Sequence, residues 1–213
     1  MFDLKAGQVI AKESFPSWWE LHLKLIYWGI KKYQRMKWGR NWKAVHVFIV
    51  LPRGIHLELF EQTYPKAKWT KIGYLWDKTF TVCEWVHLRP IEEGPLCSRC
   101  REERAYTREF LDIDALVEDA NKRVGMKYDL GDLLDFAFSG FILKLWRSTV
   151  RIWGDKSRRL GVCSTVVARM LHTAGCNTII NPQACDPAYF EGNGRGWNVI
   201  KRVRCGEEQE NPR

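Results

Sequence analysis

Cys163 and His46 are the residues of this sequence best suited to covalent chemistry. Cys163 opens the segment CSTVVARMLHTA (163–174), whose apolar positions fall on one helical face. At a helix start, unsatisfied N–H groups and the macrodipole favour negative charge, as a thiolate nucleophile needs. The same donors suit a developing oxyanion. A nucleophilic sulfur also needs an imidazole within hydrogen-bond reach. Among the five histidines, His46 is unusual because it interrupts the apolar run AVHVFIVL (44–51). His22 lies in a basic, Trp-rich segment, His56 on the following strand and His87 near cysteines, while His172 lies too far along the Cys163 helix. Purely structural roles compete with this assignment. Cys163 also fits a core stripe with Val166, Val167, Met170, Leu171 and Ala174, and His46 fits a hydrogen-bonded strand residue.

A second set is Cys83, His87, Cys97 and Cys100, spaced C-x3-H-x9-C-x2-C. Four such donors can hold a tetrahedral zinc, so a structural zinc is an option. The alternative is a reduced loop pair with Cys83 in a strand core. A third feature runs from Lys24 to Lys43, with seven basic residues and no acid, interleaved with Tyr27, Trp28, Tyr33, Trp38 and Trp42. It suits an anionic membrane or wall, less well nucleic acid, and equally a helix packed by its Trp side.

These residues need elements to carry them. The patterns predict a helix over 17–35, strands over 44–51 and 55–60, further strands near 68–76 and 79–87, helices over 107–123 and 129–146, the Cys163 helix closed by Gly175, and a last strand over 197–204. Leu51-Pro52-Arg53-Gly54 reads as a turn. Strands grouped before helices argue for an α+β fold, an antiparallel sheet packed by helices. Residues 1–205 read as one domain, with a loop or insertion at about 89–104 and a polar tail over 206–213.

The order of short motifs resembles the circularly permuted papain-like group of the NlpC/P60 superfamily, the YiiX/YebB-like cysteine amidases and peptidases. The motifs are LKAGQVI (4–10), the His46 strand, a strand carrying Glu58, GMKYD (125–129), VCSTVV opening a helix, and NPQACDP (181–187). Gln8, Thr165 and the Ala44-Val45 pair depart from the usual residues of that group. The resemblance implies a permuted papain-like architecture and acyl transfer through a thioester. Cys163 would be the nucleophile, His46 the base and Glu58 the group orienting the imidazole, with Glu61 and Gln62 as alternatives to Glu58. Opposition of His46 and Glu58 would make Ile49 face Ile55 around a five-residue loop. Tyr128 and Trp42 are the expected substrate contacts. The substrate would be a peptide, isopeptide or lipid-like amide or ester, and catalysis would need no cofactor. A non-enzymatic basic protein that binds nucleic acid or membrane through residues 24–43 is the alternative.

Composition narrows the classes further. The chain has 213 residues, 46% of them apolar and 11 of them Trp, which excludes disorder over most of its length. Its 34 Lys and Arg against 25 Asp and Glu give a net charge of +9, favouring anionic partners. Seven cysteines without a secretory signal lead to an expectation of reduced thiols in a cytoplasmic, or virus-encoded, protein.

Overall fold

The computed structural model describes residues 3–13, 28, 30–32, 34, 35, 37, 39, 43–85, 111–129, 131, 162–176, 179, 181, 182, 185–193 and 196–204. The fold is α+β. Its strands are β1 (Val9–Glu13), β2 (Ala44–Arg53), β3 (His56–Glu61), β4 (Lys68–Lys71), β5 (Phe80–Trp85) and β6 (Trp197–Val203). They form one six-stranded sheet in the order β4-β3-β2-β1-β5-β6, with every pairing antiparallel. Two helices are described in full, α1 (Ile113–Arg123) and α2 (Cys163–Thr173). Residues 28, 30–32, 34, 35 and 37 are also helical.

β2 explains why the sequence shows an unbroken apolar run rather than an alternation. Its two faces are both covered. Val47, Ile49 and Leu51 join Val9, Ala11 and Phe60 under Val166, Val167, Met170 and Leu171 of α2 and Leu116 and Ala120 of α1. Phe48 and Val50 turn the other way, joining Leu4, Ile10, Leu59, Leu75, Phe80 and Val82. The second cluster is roofed by the 3-10 turn Ile72–Leu75.

α1 starts at Asp112, whose carboxylate accepts the Ala115 N–H at 2.9 Å, an N-cap that satisfies one free donor. The Asp112 N–H in turn donates to Ala174 O at 3.0 Å and ties the start of α1 to the end of α2. α2 ends at Ala174, and Gly175 follows with φ +98°, the left-handed stop expected there.

The β2–β3 hairpin departs from the sequence expectation. β2 runs through Pro52 to Arg53, and the turn is the pair Gly54-Ile55, with Arg53 facing His56. Gly54 has φ +63°, which the first position of a two-residue hairpin turn demands. Pro52 is tolerated because the Val50 N–H points toward β1, to Gln8 O at 2.8 Å. Two residues on, the Pro52 nitrogen faces that same side, beyond β1, where no ladder bond is lost. The expected strand near 68–76 is also divided, into β4 and the 3-10 turn. The expected helix at 129–146 and the loop at 89–104 lie outside the described residues, apart from positions 129 and 131.

Candidate active site

The hairpin register decides which acid meets His46. Phe48 faces Glu61 and Leu51 faces Glu58 across β2 and β3. Paired residues share a face and neighbours alternate, so Glu61 lies on the face of Phe48 and His46, while Glu58 lies on the opposite one. The orienting role expected for Glu58 is therefore corrected. Glu58 bonds Arg53 at 2.9 Å, and the acid beside the imidazole is Glu61, the first of its two alternatives. His46 Nε2 and Glu61 Oε2 are 2.8 Å apart, with side-chain exposures of only 14% and 6%.

The second Glu61 oxygen is also held. Thr70 Oγ1 donates to Oε1 at 2.7 Å, and Lys68 Nζ lies 3.6 Å from it. Burial works against this carboxylate, but His46, Thr70 and Lys68 outweigh it and hold its pKa below the usual value. Gln62, the other alternative, has a different partner. Its amide donates to the backbone carbonyls of Met126 and Lys127 at 3.4 and 3.0 Å. It thereby pins the segment carrying Tyr128, whose N–H donates to Pro65 O at 3.0 Å.

Cys163, the first residue of α2 and a free, buried thiol, also interacts with the His46 ring. Burial opposes a charged imidazole. The charge of Cys163, its hydrogen bond to the ring, and the Glu61 carboxylate together push the His46 pKa up to about 9. The ring's orientation is fixed further by Phe48, which meets it edge-on with centroids 4.7 Å apart. The residues around the start of β2 are tied down as well. Gln34 Nε2 donates to Ala44 O at 3.0 Å. Asp186 accepts from Lys37 Nζ at 3.0 Å and from the Ala188 and Tyr189 N–H groups at 2.9 and 3.2 Å.

Sequence reasoning missed Thr70, Lys68 and Lys12. The available signal for Glu61 was an acid closing the apolar pair Leu59-Phe60, where solvation alone would not place it. Trp42 lies outside the described residues, as do His87, Cys97, Cys100 and most of the basic stretch 24–43. Within that stretch, Lys32 Nζ lies 4.8 Å from the centroid of the Trp28 ring. Cys83 is sealed between β1 and β6, and burial raises the pKa of its thiol. Among the described residues, no group of three or more His, Cys, Asp or Glu could hold a metal ion. Nor is any described helix long and apolar enough to cross a membrane.

The class defined by the fold and site is thus an α+β protein with a buried cysteine–histidine–glutamate cluster. No family model matches the chain, and no curated protein matches it. Among solved structures it is similar to that of the metalloprotein yiiX from Escherichia coli O157:H7, at 14% identity and a TM-score of 0.43, over 95% of this chain and 99% of that one.

Proposed function

We propose that this protein is a cysteine-dependent hydrolase of amide or ester bonds, with Cys163 as nucleophile, His46 as acid and base, and Glu61 orienting the imidazole. The observation that carries the reading is that His46 interacts with both Cys163 and Glu61, while Thr70 holds the second carboxylate oxygen. A core histidine needs one hydrogen-bond partner. This one interacts with both a thiol at a helix start and a fixed carboxylate, as the base of an activated nucleophile does.

In this mechanism the Cys163 thiol gives its proton to His46, and the resulting thiolate sulfur bonds to the substrate carbonyl carbon. The oxyanion that forms is met by free N–H groups of the first turn of α2. His46 gives its proton to the leaving amine or alcohol as the C–N or C–O bond breaks. Water then attacks the thioester, His46 takes a water proton, and the C–S bond breaks to release the acid. Glu61 keeps the ring in place throughout and stabilises its protonated form. A permuted papain-like architecture accommodates this chemistry, with the histidine strand preceding the cysteine helix in sequence. A peptide, isopeptide or lipid-like acyl compound is the substrate class.

The test is hydrolysis of a panel of fluorogenic acyl amides and esters by the full chain and by Cys163→Ala. The reading predicts turnover that Cys163→Ala abolishes while the circular dichroism spectrum is retained. Equal turnover by the two proteins would contradict it.

A further inference from the structure

Lys12 is the only buried lysine among the described residues, at 8% exposure. It stands directly opposite His46 across β1 and β2, so the two side chains leave the same face of the sheet as neighbours. Its Nζ donates to Tyr74 Oη at 2.8 Å and lies 4.9 Å from the Tyr74 ring centroid and 5.9 Å from that of Phe48. Phe48 is the ring that contacts His46. The ammonium and the imidazole therefore share one aromatic wall.

Among the described residues no carboxylate bonds this ammonium. Asp77 is the acid that feels its charge, but Asp77 is bound to Lys78 at 2.6 Å and its side chain is 73% exposed. An ammonium has three donors, and the phenol oxygen takes one of them. Aromatic faces attract a cation but do not neutralise it. A buried cation without a counter-charge is costly, and an arriving anion would relieve that cost. Tyr74, which Lys12 bonds, is itself in contact with solvent. Tyr74 is 41% exposed and Trp76 is 75% exposed, and Lys78 Nζ adds a second positive charge 5.5 Å from the Tyr74 ring centroid.

We infer that Lys12 binds a negatively charged group of the substrate beside the scissile bond, so that anionic acyl compounds are the preferred class. This rests on the hydrolase reading above. The competing role is a strap, in which Lys12 only fastens the 3-10 turn through Tyr74.

Binding to the Cys163→Ala chain separates the two roles, followed by NMR titration. The ligands are two N-acetylated, C-amidated tripeptides, one with glutamate at its centre and one with glutamine. The glutamate peptide is expected to bind at least about tenfold more tightly, as a charge-assisted bond provides. Lys12→Met, which keeps the stem on Phe48 and Tyr74, should bring that ratio close to one, and Lys12→Arg should retain most of it. Tyr74→Phe removes only the strap bond and should leave a clear preference for glutamate. A ratio near one in the parent chain, or a ratio that Lys12→Met does not change, overturns the inference. The two readings fail differently. Charge-selective binding without turnover by the wild-type chain would uphold the anion site and remove the hydrolase. Turnover without charge preference would do the reverse.

Discussion

The His46 imidazole is pulled two ways. Burial favours its neutral form, whereas Cys163 and Glu61 favour the charged one, and the second influence prevails. Because the folded pKa of about 9 lies above the ordinary 6.5, the stability linked to this proton is complete below pH 6.5. It is lost as pH rises through about 9. Unfolding by denaturant should therefore show a decline in stability across that interval that His46→Gln lacks. Both partners raise the His46 pKa, so an NMR titration of the ring should move down in Cys163→Ala and in Glu61→Gln. On the hydrolase reading, Thr70 acts through Glu61 as a positioning residue. Thr70→Val should lower kcat by about tenfold with little change in KM and shift the alkaline limb of the pH–rate profile downward, and Thr70→Ser should restore both. A purely structural Thr70 would leave that limb in place.

At the scale of elements, two features of the sequence had opposite fates. The α2 pattern was plain, because its apolar stripe and Gly175 both agree with the helix that forms. The β2–β3 hairpin was harder to read. Pro52 resembles a turn residue, yet it sits within the strand on the side where β1 has ended, and the turn falls one residue pair later. An odd rather than even register moves every β3 side chain to the other face, and the acid beside His46 changes from Glu58 to Glu61. Periodicity could not reveal this, since β2 is buried on both faces and carries no alternation to align. The turn itself can be tested. A side chain at Gly54 meets nothing within 4 Å, so Gly54→Ala has only backbone strain to bear. It should cost about 1 kcal/mol, measured by denaturant titration.

For the whole molecule, the α+β class followed from the order of strands and helices, and the sheet with its two covering layers agrees with it. Spacing and periodicity could not bring the three residues of the site together; only the motif resemblance put Cys163, His46 and an acid, with Glu61 as one alternative, into one expectation. Cys163, His46 and Glu61 come from a late helix, a central strand and its neighbour, and only the fold makes them adjacent. That adjacency depends on α2 staying on the sheet. Leu171 is fully buried beneath the helix among β2 residues. Leu171→Ala should cost about 2–5 kcal/mol of stability.

The most direct measurement is the rate at which iodoacetamide alkylates each cysteine of the folded chain near neutral pH, resolved by mass spectrometry. Cys163 should react far faster than Cys83, Cys176 and Cys185, and His46→Ala should remove that advantage. A Cys163 no faster than the other three, or one whose rate is indifferent to His46, would contradict the account.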